Sequence, residues 1–313
     1  MSSLSSITTP CGLEVVGCWT KAGLASCVHI KGQLKGEDLL FDCGLVDPST
    51  FSAAHVFCSH GHIDHIGAIV THARARALTH SPASYYMPLN CIAPIQAVKA
   101  AFEVLDGREI PMVLIAIEVN QVIEIPRTRL SVKAFPTVHR VPSQGYAVYC
   151  NTTPANSLLP IYQRSSREEI KELLASGVAM YQSPTPTLQL CYTGDTVMEG
   201  LLQEQNAFLF TCPLLILEAT YLDGAVSKAV DRGHIHIQDI ASNAELFQND
   251  HILIVHLSQK YAPYSRAIHL LRSSLPPSLL SRTSVSLFSF GSGTVSGVAP
   301  MYCVEFGCAS YCR

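Results

Sequence analysis

The segment Ser59-His60-Gly61-His62-Ile63-Asp64-His65 places three imidazoles and one carboxylate directly after an apolar run of the chain. Neutral imidazole suits Zn²⁺ and similar borderline ions, and an aspartate between the histidines adds a hard oxygen ligand. Histidines this dense are rarely mere packing or surface residues. The segment therefore predicts a metal site.

The same segment has ligands for two ions. His60 and His62 alternate along an extended stretch, so both side chains can point the same way. Asp64 and His65 come where the chain turns into a following helix. They can therefore face a second ion about 3.5–4 Å from the first, the usual spacing of two-metal sites.

A dinuclear site needs more ligands than one loop supplies, and suitable residues recur further along the chain. His139, Asp195 and His256 each follow a predicted strand, where a rigid sheet can aim a side chain. Asp195 is the natural bridging ligand, because each of its oxygens can meet one ion. The candidate ligands are then His60, His62, Asp64, His65, His139, Asp195 and His256.

Composition bounds the class of protein. The chain has 313 residues, 48% hydrophobic and 14% charged, which is enough apolar material for one large core. Its 12 cysteines form no CxxC pair or disulfide-scaffold spacing, which favours a reducing compartment. We expect a cytoplasmic protein, with the nucleus as alternative, because residues 1–10 resemble neither a signal nor a transit peptide. The longest apolar stretch, residues 207–217, is too short to span a membrane and predicts a buried strand.

The net charge of −3 at pH 7 opposes an extended nucleic-acid surface, since phosphate binding normally leaves a basic footprint. Basic residues do gather in two loose groups. The first group is Arg127, Arg129, Lys133 and Arg140, and the second is Arg164, Arg167 and Lys171. Such groups are more often a solvated face than a binding surface.

The periodicity predicts an α/β fold. Short β-type runs separated by turns precede the histidine segment, and strands and helices recur in both halves. This order suits two β-sheets packed face to face with helices outside, a four-layer αββα arrangement. In the helix predicted over residues 93–105, apolar residues at helical spacing predict core positions: Ile95, Val98, Phe102 and Leu105. The other predicted helices are residues 67–77, 165–174, 237–247 and 262–271.

One compact domain is expected over residues 12–290. The periodicity is lost after Pro276 and Pro277, and residues 291–313 predict a disordered tail rich in glycine, serine and cysteine. The tail cysteines match no standard zinc-binding spacing; they are Cys303, Cys308 and Cys312.

Further motifs accompany the histidine segment. They are Thr137-Val138-His139, Tyr192-Thr193-Gly194-Asp195-Thr196, Glu218-Ala219-Thr220-Tyr221, Gly233-His234-Ile235-His236-Ile237 and His256-Leu257-Ser258-Gln259-Lys260-Tyr261. Together, across residues 12–290, they resemble tRNase Z, a tRNA 3′-processing endoribonuclease of the metallo-β-lactamase fold, in the short form of plants. The histidine segment marks only the superfamily, whereas the motifs around Glu218 and His234 are more specific.

The resemblance implies two Zn²⁺ per subunit, with Mn²⁺ or a mixed pair as alternatives. The ligands implied for one ion are His60, His62, His139 and Asp195. Those implied for the other are Asp64, His65, Asp195 and His256.

The resemblance also implies catalytic roles. Glu218 orients and charges His234, so that this imidazole donates a proton to the departing ribose oxygen. Asp64 orients the attacking water or accepts its proton. Thr196 and Thr220 are candidate hydrogen-bond donors to phosphate.

The implied activity is removal of the 3′ trailer from precursor tRNA, leaving a 3′-hydroxyl on the tRNA and a 5′-phosphate on the trailer. The enzyme is expected to be a homodimer in which one protomer holds the tRNA that the other cuts. The alternative is a small-molecule hydrolase of the same fold, either a phosphodiesterase or a glyoxalase II-like thioesterase or lactonase. Glu218 with His234 favours a phosphodiester, since an ester hydrolase has no evident need of that pair. A non-enzymatic member is disfavoured because no candidate ligand is missing.

Three features depart from the family pattern. Residues 150–190 form a short and mildly basic segment, whereas bacterial forms carry there a long basic arm that grips tRNA. Lys260 stands where arginine is usual, and lysine keeps the charge but lacks the bidentate fork. His236 adds an imidazole beside His234, and its role is left open.

Overall fold

The structure, a computed structural model, describes residues 7–151, 158–181, 185–262, 264–287 and 302–305. Its strands are β1 (Glu14–Lys21), β2 (Ala25–Lys31), β3 (Asp38–Phe41), β4 (His55–Phe57), β5 (Ser84–Met87), β6 (Val113–Ala116), β7 (Val122–Glu124), β8 (Leu130–Pro136), β9 (Gln144–Asn151), β10 (Pro186–Tyr192), β11 (Leu214–Glu218), β12 (His251–Val255), β13 (Thr283–Leu287) and β14 (Tyr302–Glu305). Its α-helices are α1 (Ile63–Ile66), α2 (Ile69–Arg76), α3 (Leu89–Asp106), α4 (Arg167–Ala175), α5 (Met198–Leu201), α6 (Val226–Asp231), α7 (Ile237–Ser242), α8 (Tyr264–Ser274) and α9 (Pro277–Leu280).

These strands form two sheets. The first has the order β1-β2-β3-β4-β5-β6 and the second the order β14-β13-β12-β11-β10-β9-β8-β7. Strands β3 to β6 run parallel, as do β10 to β13. Because β9 is antiparallel to both β8 and β10, β8 points the same way as β10, β11 and β12.

Alternate residues of the central strands face different cores, as the period of two requires. In β3, Phe41 packs between the two sheets, whereas Leu40 packs beneath α2 and α3. In β11, Ile216 packs between the sheets, whereas Leu215 and Leu217 pack against α7 and α8. Two helical layers therefore enclose two sheets, which confirms the predicted four-layer αββα fold.

The predicted core face of α3 is only partly correct. Ile95 is 4% exposed, but Val98, Phe102 and Leu105 are 44%, 48% and 81% exposed. The buried residues of α3, Cys91 and Ile95, both lie in its first half. The prediction is wrong for the other three because helical spacing identifies an apolar face without saying how much of it the sheet covers.

The loss of periodicity after Pro276 and Pro277 does not end the regular structure. Residues Pro277–Leu280 form α9, and Thr283–Leu287 form β13, a fully buried strand parallel to β12. The sequence of β13 looks polar, but two of its hydroxyls find internal acceptors: Ser286 Oγ donates to the Cys18 carbonyl oxygen at 2.9 Å and Thr283 Oγ1 to the Leu279 carbonyl oxygen at 2.8 Å. Ser284 Oγ is buried without a hydrogen-bond partner in the described structure. Within the predicted tail only Tyr302–Glu305 is described, as β14 paired with β13; the rest of that prediction lies outside the described residues.

Other local predictions fared better. Helix α4 begins after Ser166, which forms a capping box with Glu169, and its bounds Arg167–Ala175 agree with the helix predicted over residues 165–174. Helix α7 ends at Ser242, earlier than the predicted residue 247. Among the described residues, no helix combines the length and hydrophobicity needed to cross a membrane.

Candidate metal centre

The candidate ligands collect where strands of both sheets end. The histidine segment follows β4 of the first sheet, while His139, Asp195 and His256 follow β8, β10 and β12 of the second. Parallel strands present their carboxyl ends at one edge, so the loops after them converge. The edge is built by backbone contact, because the Gln144 amide donates to the Ser59 carbonyl oxygen at 3.0 Å.

A glycine permits the closest approach of these loops. Gly194 has φ +58°, and a Cβ there would lie 2.6 Å from the Cβ of Ser59. Only glycine fits both this backbone conformation and this spacing. Asp195, the next residue, is thereby brought against the histidine segment.

The first group of ligand atoms comes from three histidines and Asp195. His62 Nδ1 lies 3.0 Å from His60 Nε2 and 3.2 Å from His139 Nε2. Asp195 Oδ2 lies 3.8 Å from His60 Nε2 and 3.9 Å from His139 Nε2. Tetrahedral Zn²⁺ with bonds of about 2.0 Å spaces its ligand atoms about 3.3 Å apart, so the group has the dimensions of a zinc site.

The second group comes from Asp64, His65 and His256. His65 Nε2 and His256 Nε2 are 3.2 Å apart, and Asp64 Oδ2 lies 3.7 Å and 3.4 Å from them. Asp195 Oδ2 is 3.3 Å from His65 Nε2, while its Oδ1 is buried without a hydrogen-bond partner in the described structure. This carboxylate thus lies between the groups, where a bridging ligand would stand. We call the seven residues of the two groups the metal cradle.

Four of the five histidines of the cradle, all except His62, are fixed from behind. In His65, Nδ1 contacts Asp42 Oδ2 at 2.7 Å, and in His256, Nδ1 contacts Thr220 Oγ1 at 2.9 Å. In His60, Nδ1 lies 2.9 Å from Ser59 Oγ. Such contacts orient each ring so that its other nitrogen faces the ion.

His139 is fixed by a backbone carbonyl. Its Nδ1 donates to the Gly233 oxygen at 2.7 Å. Gly233 has φ +80°, and a Cβ there would lie 2.6 Å from His139 Nδ1. This position must therefore be glycine, and it ties His139 to the loop that carries His234.

Asp42 is a site residue that the sequence interpretation missed. It is fully buried, has φ +59°, and accepts hydrogen bonds from the Ser59 amide at 2.6 Å and the Tyr192 hydroxyl at 2.5 Å, besides contacting His65. The only signal in the sequence was an aspartate directly after β3. Its partners lie far apart in the chain, so its role became visible only in the fold.

Burial and neighbouring charges shift the pKa values of the cradle residues in different directions. Burial lowers the pKa of His60, His62 and His139, which keeps these imidazoles neutral as metal ligands must be. Burial alone would also lower the pKa of His65, but the Asp195 and Asp42 carboxylates raise it well above its ordinary value. Burial likewise opposes ionisation of Asp195, yet His256 and His65 hold its pKa well below the usual range.

Glu218 and His234 form a pair beside the cradle. Glu218 is fully buried at the end of β11, and its Oε1 lies 3.0 Å from His234 Nδ1. The carboxylate also accepts hydrogen bonds from the Thr196 amide at 3.1 Å and from the Thr220 hydroxyl at 2.7 Å. Burial would lower the pKa of His234, but the charges of Glu218 and Asp195 raise it. His234 also belongs to a third possible ligand group with Asp195 and His256.

Four other predicted residues have structural partners. Thr196 and Thr220 are buried, and their hydroxyls donate to the Val197 carbonyl oxygen and to Glu218, so neither is free to bind phosphate. His236 caps α7, where its Nδ1 accepts from the Gln238 amide at 3.1 Å. Lys260 donates to Asp223 Oδ1 at 2.6 Å.

A pocket of about 170 Å³ opens above the cradle. Its wall contains cradle residues and His234, together with Tyr221, Arg140 and Arg232. The pocket is polar and bounded by carboxylates, imidazoles and guanidiniums. Such an arrangement suits hydrolysis of an anionic substrate by bound metal ions.

Comparison with known proteins agrees with this architecture. The family model of the Beta-lactamase superfamily domain matches residues 37–257. The chain is 34% identical over 247 residues to tRNase Z TRZ1 of Arabidopsis thaliana, covering 78% of this chain and 86% of that protein.

Solved structures support the fold. The metallo-beta-lactamase fold protein YhfI of Bacillus subtilis has a TM-score of 0.59 at 16% identity, covering 89% of this chain and 97% of the other. The short form of human tRNase Z (ELAC1) has a TM-score of 0.52 at 20% identity, covering 82% and 93%.

Proposed function

The chain belongs to the tRNase Z family of the beta-lactamase superfamily, and from this premise we propose that it removes the 3′ trailer of precursor tRNA as a metal-dependent endoribonuclease. The observation that carries the proposal is the buried Glu218 holding His234 beside the metal cradle. Phosphodiester cleavage needs an acid for the departing ribose oxygen, and this pair provides one.

We propose that the cradle holds two Zn²⁺, with Mn²⁺ or a mixed pair as alternatives. His60, His62 and His139 would serve the first ion, Asp64, His65 and His256 the second, and Asp195 both. Supporting this are the spacing of the nitrogens, the contacts behind the rings and the unpartnered Asp195 oxygen. When bound, the ions activate a water molecule and neutralise charge on the reacting phosphate.

The protein's own groups then orient and move protons. Glu218 accepts from His234 Nδ1, which leaves Nε2 as the nitrogen that can reach a substrate. The raised pKa of His234 favours the protonated ring, so Nε2 can donate to the 3′-oxygen that leaves with the tRNA. Asp64, whose Oδ2 accepts from the Gly23 amide at 2.7 Å, is held in position to orient the attacking water.

We further propose a homodimer. Val98, Phe102 and Leu105 of α3 present an apolar face that the described part of the protomer leaves exposed, and a second copy packing there would remove it from water. Light scattering after gel filtration should give twice the mass of the chain. Phe102→Asp should lower that mass if α3 forms the interface.

For localisation we propose the cytoplasm, with the nucleus as alternative. The support is chemical, since nine cysteines are free and buried in the structure: Cys11, Cys18, Cys27, Cys43, Cys58, Cys91, Cys150, Cys191 and Cys212. Buried free thiols suit a reducing compartment.

The decisive experiment is cleavage of a precursor tRNA carrying a 3′ trailer, with both new ends mapped. We expect one cut after the discriminator base, leaving a 3′-hydroxyl on the tRNA, which is abolished by chelator and restored by Zn²⁺. The control substrates are bis(p-nitrophenyl) phosphate and a glutathione thioester. Turnover of a control without cleavage of precursor tRNA would contradict the proposal and favour a small-molecule hydrolase.

A further inference from the structure

Two arginines at the mouth of the pocket lack any partner within the described residues. Arg140 follows His139, and Arg232 lies between the end of α6 and Gly233. Both side chains are exposed and line the pocket. Neither forms an ion pair or side-chain hydrogen bond with the described part of the chain, so each guanidinium keeps its full capacity to bind an anion. We call them the arginine pair.

The fold places the arginine pair on adjacent loops. The hydrogen bond from His139 to the Gly233 carbonyl joins the two loops. A Cβ on Gly233 would lie 3.1 Å from Arg140 Cγ, so the stem of Arg140 passes directly over the residue that follows Arg232. The two side chains therefore start from adjacent points of the surface, so that both guanidiniums can reach one anion at the pocket.

Other basic residues nearby are already neutralised or engaged. Lys260 and Arg266 both bind Asp223, at 2.6 Å each. Arg129 forms a bidentate pair with Glu37, and Lys133 lies over the ring of Phe208. The basic group predicted from sequence is therefore dispersed by the fold, and Arg140 alone of its four members lines the pocket.

We propose that the arginine pair binds the phosphate immediately upstream of the scissile phosphate, on the tRNA side of the cut. This inference rests on the proposed function. His234 donates its proton to the oxygen that leaves with the tRNA, and Arg232 is two residues from His234. The tRNA nucleotide therefore lies next to the arginine pair, and its own 5′-phosphate is the nearest further anion. Arginine's planar fork suits such a phosphate.

The first test compares two substrates of the holoenzyme. Arg140→Ala and Arg232→Ala should each lower kcat/KM on precursor tRNA about tenfold to a hundredfold, mainly through KM, as expected for a charge-assisted contact. Turnover of bis(p-nitrophenyl) phosphate, which has no second phosphate, should fall at least about fivefold less than turnover of precursor tRNA. Lys228→Ala, which removes an exposed charge of α6 outside the pocket, is the matched control.

The second test locates the bound phosphate. A neutral methylphosphonate just upstream of the cut should slow cleavage of precursor tRNA by wild type. In the arginine variants, the same replacement should cause no further loss, because the contact it removes is already absent. A methylphosphonate just downstream should slow wild type and variants by the same factor. Full additivity at the upstream linkage would overturn the assignment, as would equal loss on both substrates or no loss on precursor tRNA.

Binding of trailer-free tRNA separates this inference from the cleavage activity. That RNA retains the upstream phosphate and cannot be cut, so its affinity depends on binding alone. The slope of log affinity against log salt should fall by about one unit for each arginine removed. An unchanged slope would reject the arginine pair even if precursor tRNA is cleaved, whereas a reduced slope without any cleavage would reject only the proposed function.

Discussion

The metal cradle and the arginine pair lie a few residues apart, yet they are built in opposite ways. Four of the five histidines of the cradle are held from behind, as His65 is by Asp42 and His139 by Gly233. Arg140 and Arg232 are exposed and have no partner among the described residues. Under the proposed function, the groups that react are fixed before substrate arrives, whereas the substrate contacts are side chains that the substrate itself must order.

The strongest test of the cradle is Asp195→Ala. Its carboxylate lies between both ligand groups, so we expect metal content and activity to fall together, with kcat reduced at least about a thousandfold because several kcal/mol of charge stabilisation leave with the ions. Metal content measured by mass spectrometry, beside precursor-tRNA cleavage, checks this. Asp223→Ala, which removes a carboxylate outside the cradle, should retain both ions.

His234→Ala distinguishes the acid from the ligands. We expect both ions to remain while cleavage slows about a hundredfold, the scale of a lost general acid. The structure also permits His234 to join a third ligand group, so metal content is the critical reading. Loss of metal equal to that of Asp195→Ala would reject the role of His234 as acid, and exposed His80→Ala is the control.

Asp42→Asn tests how far the cradle depends on support from behind. In the variant, an amide nitrogen would replace a carboxylate oxygen that now accepts hydrogen bonds. We therefore expect metal affinity to fall about tenfold to a hundredfold. Competition with a chelator of known affinity measures this. Asp47→Asn, in the same connection but half-buried at the N-cap of the short 3-10 helix Pro48–Ser52, should leave affinity unchanged. An unaffected Asp42 variant would mean that the cradle holds its shape unaided.

The ion pair between Glu37 and Arg129 is a charged contact outside both the metal cradle and the pocket. Burial would raise the pKa of Glu37, but hydrogen bonds from Arg129 and the Leu34 amide lower it from its ordinary value. The pair therefore stabilises the fold above the unfolded pKa of about 4.3, and this stability is lost as pH falls through the lower, folded pKa.

Glu37→Gln should accordingly reduce the free energy of unfolding by about 2 kcal/mol at pH 7, without changing kcat. The deficit should shrink as pH falls below about 4. Urea unfolding at several pH values measures it. Exposed Glu124→Gln is expected to change stability by less than about 0.5 kcal/mol, and a deficit independent of pH would show that the charge of Glu37 is not the cause.

Much of the site was available from local pattern. A dense histidine segment after an apolar run, followed by histidine and aspartate at later strand ends, named every residue of the two ligand groups. Asp42 escaped because it is one aspartate with no motif around it. Thr196 and Thr220 were predicted to donate hydrogen bonds to phosphate. The sequence around a hydroxyl that follows a strand does not reveal which carbonyl or carboxylate will accept its hydrogen bond.

The sequence by itself determined the αββα class and named the residues that collect in the metal cradle, because alternation along strands and the ligand chemistry of imidazole and carboxylate are properties of short segments. Tertiary structure alone decided which charges remain free. Arg129 and Arg140 are alike in sequence, but Arg129 meets the buried carboxylate of Glu37, just before β3, and Arg140 meets none among the described residues. The same holds for α3, whose apolar residues are core only where the sheet reaches them. Whether a charged side chain finds a partner, and whether a helix face is covered, depends on residues far apart in the chain. No local pattern encodes those contacts.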